Sequence, residues 1–332
     1  MANKKNYPTE AIIAVTMNCN ARCIMCNIWK NNILDEVKPD FYKKLPKSLK
    51  EINITGGEPF LRNDLPNIIN ILSQTCPQAR LLINTNGYLT SQIKKLAPQI
   101  KSINQNIAIR ISLDGYGETH TKTRRLPNFF EKSVESLHFL KNIGIKDLGI
   151  SYTLMEQNKH ELLRLYDFCK RNRFEFSLTV ATDSPIYFGK GKINLRPKIN
   201  NVLKEIFQKL TKYQRRSIKP KNWFRAWFNE KLLEYIETNI RHFDCKAGED
   251  FFYLDSLGKM YACHIKPWQI GDLTKNSFEK IFFSKKAVAF RKKAIVCNGC
   301  WMICTTRSSI KKRIFTVLQE IVTQQIKTCL PI

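Results

Sequence analysis

The chain has 332 residues, 43% hydrophobic and 25% charged, enough to bury a sizeable core, which excludes wholesale disorder. Its 55 Lys+Arg against 28 Asp+Glu give a net charge of +27, a balance that suits nucleic acid, a membrane surface or an anionic substrate. Eleven bases and one acid lie between Lys190 and Lys221, and ten and one from Lys285 to the end. No aromatic-interleaved nucleic-acid motif accompanies them, so solvated faces are expected and a nucleic-acid partner is not.

The elements follow in chain order. Strands are predicted at Ala11–Thr16, Glu51–Thr55, Arg80–Asn84, Ala108–Leu113, Leu148–Leu154 and Glu175–Val180, each a short Ile/Leu/Val/Phe/Thr run suited to burial on both faces. Helical patterns separate them, such as Asp64–Thr75, Phe129–Lys141 and His160–Arg171. The last is read as capped at Asn158, with Glu161 three positions on. Six strand-then-helix units in series predict an α/β fold, a partial (β/α)6 TIM-like barrel with a parallel sheet, right-handed crossovers and chemistry at the C-terminal strand ends. Two amphipathic helices, roughly Lys198–Tyr213 and Trp223–Asn239, precede a cysteine-bearing segment. The tail Ser308–Thr328 carries a helical apolar stripe behind the basic start Lys311-Lys312-Arg313. The expected division is a barrel at 8–190, a basic helical connector at 191–240, a small α+β cluster-binding extension at 241–306 and an amphipathic basic helix at 307–332.

No apolar run approaches the ~18–20 residues of a membrane span. The N-terminal run Ala11–Val15 is shorter than the ~7 residues of the shortest signal-peptide core. A cytosolic location is expected, and there eleven cysteines point to metal binding rather than to a disulfide framework. The tail is expected either to cap the open end of the barrel or to lie on an anionic membrane surface, which would make the protein membrane-peripheral.

The loop after the first strand reads Cys19-Asn-Ala-Arg-Cys23-Ile-Met-Cys26. A structural zinc site would want a fourth nearby ligand. Three thiolates on a [4Fe–4S] cube instead leave one iron free for an exogenous ligand. Gly56-Gly57-Glu58-Pro59 ends the second strand, Thr85-Asn86-Gly87 the third and Ser112-Leu113-Asp114-Gly115 the fourth; His120 and Arg124 follow.

This constellation resembles the radical S-adenosylmethionine (SAM) superfamily. The resemblance implies that Cys19, Cys23 and Cys26 hold the [4Fe–4S] cluster that cleaves SAM. It also implies that Met25, Gly56, Gly57, Glu58, Pro59, Thr85, Asn86, Ser112, Asp114 and Arg124 surround the cofactor. Glu58 would then accept from the SAM amine and Arg124 would pair with its carboxylate; the ordinary alternative for Arg124 is an exposed surface position. Met25 stands where an aromatic is common, a place Trp29 would help to fill, and Thr121 stands where Asp is common.

Farther on, Cys245, Gly258, Cys263 and the Cys297-x2-Cys300-x3-Cys304 run resemble the SPASM and twitch extensions of that superfamily. They imply one auxiliary [4Fe–4S] cluster on Cys245, Cys263, Cys297 and Cys300. Cys304 is left as an alternate ligand or a hydrogen-atom donor, and zinc on the same four thiols is the competing reading. The expected activity is reductive cleavage of SAM to a 5′-deoxyadenosyl radical that takes a hydrogen from a small sugar or polyol, free or lipid-linked, oxidising or epimerising it. A flavodoxin- or ferredoxin-like protein would supply the electron. A ribosomal peptide is the alternative substrate, disfavoured because a first strand at residue 11 leaves little room for an N-terminal peptide-binding domain. RNA modification ranks third.

Overall fold

The computed structural model describes residues 6–186 and 188–329. Six parallel strands form the predicted sheet: β1 (Glu10–Thr16), β2 (Glu51–Gly56), β3 (Arg80–Thr85), β4 (Ala108–Ser112), β5 (Asp147–Leu154) and β6 (Glu175–Val180). Between them run α1 (Leu65–Thr75), α2 (Thr90–Ile103), α3 (Glu118–Arg124), α4 (Phe129–Asn142) and α5 (Leu162–Asn172). Alternation along β1 decides its two faces. Ala11, Ile13 and Val15 enter the main core beneath the helices, whereas Ile12 and Ala14 turn to the other side, the barrel lumen.

Strands β6 and β1 do not pair, so the barrel is open between them. After α6 (Asn201–Arg215), helix α7 (Pro220–Thr238) lines that side of the lumen with Phe224, Phe228 and Asn229. The lumen floor is an ion-pair network. Arg80 meets Glu51 at 2.5 Å and Asp147 at 2.6 Å, Arg110 meets Asp147 at 2.6 Å, and Arg307 reaches Glu51 at 2.8 Å. Against burial, Arg110 and Arg80 hold Asp147 down to about 2, so the network stays ionised at neutral pH.

The C-terminal extension continues the sheet. Strand β7 (Phe251–Leu254) lies parallel to β1, in the register Glu10↔Phe251 to Ile13↔Leu254; β8 (Lys259–Tyr261) pairs antiparallel with β7, and β9 (Gln269–Asp272) antiparallel with β8. The nine strands run in the order β6-β5-β4-β3-β2-β1-β7-β8-β9. Helices α8 (Phe278–Phe282) and α9 (Lys285–Ile295) follow.

The single tail helix expected over Ser308–Thr328 is two helices, α10 (Ile303–Lys312) and α11 (Ile314–Cys329), broken at Arg313 where φ is −117° and ψ 29°. Helix α10 closes the barrel, Arg307 inserting its guanidinium into the floor. Helix α11 packs on α6 and α7, burying Val317 and Ile321 and accepting Trp227 Nε1–H on Glu320 at 2.8 Å. The basic start is engaged internally. Lys311 meets Glu10, Lys312 meets Glu249 and Asp250, and Arg313 meets Asp244. A lipid contact of the tail would therefore rest on the outer side of α11, where Phe315, Leu318, Val322 and Ile326 are exposed. Among the described residues no helix is long and apolar enough to cross a membrane; residues 330–332 of the tail lie outside the described residues.

Candidate active site

The loop after β1 carries Cys19, Cys23 and Cys26 and is fastened on two sides. Toward β2, Gly57 N–H donates to Thr16 O at 2.8 Å and Glu58 N–H to Asn18 O at 2.9 Å. Toward α3, Arg22 N–H donates to Arg124 O and Ile24 N–H to Thr123 O. The cysteine loop makes a close backbone approach to Gly56-Gly57. A Cβ on Gly56, whose φ is +140°, would stand 2.0 Å from Thr16 O, and one on Gly57 would stand 1.9 Å from Asn18 O. Gly57→Ala is therefore expected to push the loop off β2. Reconstituted protein should lose up to about half its iron while its far-UV circular dichroism is kept; full iron content would show that the loop tolerates the shift.

Behind the loop lies a buried polar lattice. The Glu58 carboxylate is fully buried and accepts from Phe60 N–H (3.0 Å), the Thr85 hydroxyl (2.7 Å) and Asn86 N–H (2.7 Å). Burial pushes its carboxyl up, while those three hydrogen bonds favour the anion. Asn86 in turn donates to Asn20 Oδ1 in the cysteine loop at 2.8 Å. Arg124 is not a surface residue. It is buried, with Nε 2.7 Å and Nη2 2.5 Å from Asp114 Oδ2 and Nη1 3.4 Å from Cys23 Sγ. Burial disfavours its charge, but Asp114 and Cys23 outweigh that and hold its pKa above the ordinary value. Asp114 also accepts Thr153 N–H at 2.8 Å, and its own N–H donates to His120 Nδ1 at 3.0 Å. Burial drives the His120 pKa well down, so the ring is a neutral acceptor.

Asn158 is not the N-cap expected for α5; its Oδ1 instead accepts Met155 N–H at 2.7 Å at the head of a 3-10 turn. Glu156–Glu161 is a 3-10 turn and α5 starts at Leu162. Asn158 is buried and donates to Asp114 O at 2.8 Å and Thr153 O at 2.9 Å, tying β4 to β5 at the site.

A cavity of about 560 Å³ opens from the loop into the lumen. Cys19, Cys23, Cys26, Met25, Gly56, Gly57, Thr85, Asn86, Ser112 and Arg124 are on its wall. Glu58, Pro59 and Asp114 stand behind it: Pro59 opens the short turn Pro59–Leu61 that Glu58 caps, and Asp114 holds Arg124. Met25 packs with Phe129, Met155 and Ala181, and Trp29 donates its indole N–H to Cys26 O at 2.9 Å while reaching the wall.

Burial raises the pKa of all three loop thiols, Cys26 to about 12, and Cys19 is pushed further by Glu58 and Cys23. Crowded, desolvated thiols of this kind ionise when a bound cation supplies the charge, which an iron cluster does. Ile28 N–H already points at Cys26 Sγ at 3.5 Å, as to a thiolate. The donor set fits such a cluster.

The second group of thiols lies on the lumen side of β1 and β7. Cys245, Cys263 and Cys300 are buried among Ile12, Ala14, Phe251 and Tyr253, with Cys297 at the edge. Ile265 N–H points at Cys263 Sγ (3.2 Å) and Gly299 N–H at Cys297 Sγ (3.4 Å), again suiting thiolates. Burial raises Cys245 to about 11. Cys304 packs against the same cluster and is also on the wall of the barrel cavity with Ile303 and Arg307, burial raising its thiol to about 12.

Sequence reading missed several wall residues: Asn53, Asn84, Ser151, Ser177 and Thr179. The available signal was the period-2 placement of Ser and Thr inside apolar runs, as in Ser151/Thr153 and Ser177/Thr179.

A (β/α)6 half-open barrel with a three-cysteine loop on its first strand, followed by a second thiol group, defines a radical SAM protein with an auxiliary iron–sulfur domain. The chain matches the Radical SAM superfamily over residues 13–169 and the SPASM iron-sulfur cluster-binding domain over residues 245–301. It belongs to the radical SAM superfamily and carries a C-terminal SPASM domain, which implies a SAM-binding [4Fe–4S] cluster and an auxiliary cluster. It is 27% identical over 205 residues to a GTP 3′,8-cyclase of Campylobacter jejuni; the match covers 59% of this chain and 63% of that protein's length. It is 23% identical over 308 residues to an AdoMet-dependent heme synthase of Methanosarcina barkeri, covering 86% and 85%. Among solved structures, native anSMEcpe with bound AdoMet and Cp18Cys peptide superposes with a TM-score of 0.63 at 18% identity, over 97% of this chain and 99% of that one. Streptococcus suis SuiB bound to S-adenosylmethionine gives 0.66 at 16%, over 86% and 68%. At these identities the structures speak for the fold.

Proposed function

We propose that the chain generates a 5′-deoxyadenosyl radical at Cys19, Cys23 and Cys26 and oxidises a small polyhydroxylated substrate held in the barrel lumen. When bound, the cluster and SAM supply the chemistry: one electron splits the sulfonium into methionine and the radical, which removes a hydrogen atom from substrate. The chain's part is to place and shield these species. Gly56, Gly57, Thr85, Asn86, Ser112 and Arg124 form the wall that would hold SAM, and Glu58 and Asp114 keep that wall rigid from behind. Cys245, Cys263, Cys297 and Cys300 would hold the auxiliary cluster, which takes the second electron of the oxidation. An external one-electron donor starts each cycle.

The observation that carries the substrate reading is a tier of hydroxyls. Ser112, Ser151 and Ser177 are in register across β4, β5 and β6, with Thr153 and Thr179 in register one level above, and all five line the cavity. Thr179 Oγ1 is buried and has no partner among the described residues, a group that calls for a ligand hydroxyl. Asn53 and Asn84 add amides deeper in the lumen. A relative named for acting on GTP, itself ribose-bearing, is consistent with a polyhydroxylated substrate.

The test is label transfer. Reduced, reconstituted protein is given SAM with deuterated polyols, sugars and nucleotide sugars, and 5′-deoxyadenosine is examined for deuterium. Deuterium from one of these classes, with a raised KM in Thr179→Val, is expected. Deuterium arriving only from a deuterated peptide would overturn the reading in favour of peptide modification.

A further inference from the structure

Between α7 and Cys245 lies a buried guanidinium, that of Arg241. Its Nη1 donates to Cys300 O at 2.6 Å, reaches Thr305 Oγ1 at 3.4 Å and points at Cys300 Sγ at 3.6 Å. Nη2 donates to Thr305 O at 3.1 Å and Nε to Phe243 O at 3.2 Å, and the group lies 5.9 Å from the centre of the Trp301 ring. Every hydrogen-bond partner is a neutral backbone or hydroxyl oxygen, or the cysteine sulfur, and no carboxylate pairs with Arg241 among the described residues. A buried cation without a counter-charge is strongly destabilising, so an anion belongs beside it.

The anions within reach are the thiols. Cys300 Sγ lies 3.6 Å from Nη1, and Cys245 and Cys263 are buried in one cluster with Cys300, with Cys297 packed at its edge. Arg241 therefore stands against the thiol group that the SPASM resemblance marks as the auxiliary ligand set.

A cube held by four thiolates is anionic and becomes more negative on reduction. A cation fixed by five hydrogen bonds, and so unable to swing away, stabilises the reduced form more than the oxidised one. We propose that Arg241 is the built-in counter-charge of the auxiliary cluster and raises its reduction potential, so that the cluster accepts the electron left on the substrate after hydrogen abstraction. This rests on the ligand set and oxidation proposed above.

The experiment is a redox titration of the reconstituted full-length holoenzyme, followed by electron paramagnetic resonance. The Cys19/Cys23/Cys26→Ala protein serves to assign the auxiliary signal. In Arg241→Gln the auxiliary potential should fall by at least the equivalent of a tenfold change in the reduced-to-oxidised ratio, 59 mV for one electron, with the SAM-cleaving cluster unmoved. Arg241→Lys, which keeps charge but not the planar fork, should fall between the two. If the Gln variant does not hold iron, Arg241→Met, which also removes the charge, decides, an unchanged potential counting against the proposal. Equal potentials in parent and Gln variant, at equal iron content, would overturn it. Zinc instead of iron in the parent's second site would show up before any titration and would sink the cluster reading, a different failure.

Discussion

Replacing Cys19, Cys23 and Cys26 together with alanine is expected to remove about half of roughly eight irons, two cubes' worth, and all SAM cleavage. The loss should stop at half because the two thiol groups are held by different parts of the chain. The first is on a loop laid over Gly56-Gly57 and α3, whereas the second is walled by Ile12, Ala14, Phe251 and Tyr253. The loop substitutions leave β1 and its pairing with β7 untouched. Iron and sulfide assays on anaerobically reconstituted protein give the first number, and chromatography of 5′-deoxyadenosine gives the second. Nucleoside production by the triple variant would remove the assignment of these cysteines to SAM cleavage.

Arg124→Ala is expected to damage both stability and cofactor binding. Its guanidinium pairs with a fully buried Asp114, and removing one member of such a pair leaves an uncompensated charge at a cost of about 3–5 kcal/mol. For a chain of this size that lowers Tm by on the order of 10 °C. The loss should be largely reversed in Asp114→Asn/Arg124→Met, where neither charge remains. The same guanidinium lies on the cavity wall beside Cys23, so SAM affinity should fall about ten- to a hundredfold in the single variant and should not recover in the double one. Calorimetry and SAM titration separate the two effects. Recovery of SAM binding along with stability would make Arg124 a purely structural residue.

The strands were legible because a strand covered on both faces must be apolar nearly throughout, and each predicted run coincides with an observed strand to within a residue or so. The cysteine spacings were legible because ligands to one cluster must be close in sequence when they share a loop. What escaped depends on partners far along the chain. Asn158 looks like a helix cap locally, yet it is bound to Asp114, 44 residues away. Glu58 reads as an acceptor for an ammonium, and the sequence gives no sign that its carboxylate is also held by Thr85 and Asn86, 27 and 28 residues on. The tail stripe reads as one helix, and it breaks where Lys311, Lys312 and Arg313 are drawn to three separate acidic sites. Nothing local in Phe251–Leu254 announces that it pairs with β1 rather than with its own hairpin alone.

That pairing bears on electron traffic within the molecule. Strand β1 runs on into the cysteine loop and presents Ile12 and Ala14 to the auxiliary thiols, so one stretch of backbone spans the interval between the two metal-binding regions. At ~3.3 Å per residue, that interval is fixed by the length of a hydrogen-bonded strand rather than by how two domains dock. An electron crossing from one region to the other then meets a gap that domain rotation does not modulate. The transfer rate should respond to driving force and remain indifferent to solvent viscosity. Cutting the extension away would bare the N–H and C=O groups of β1 along its whole β7 edge, so the barrel and its extension share one continuous sheet.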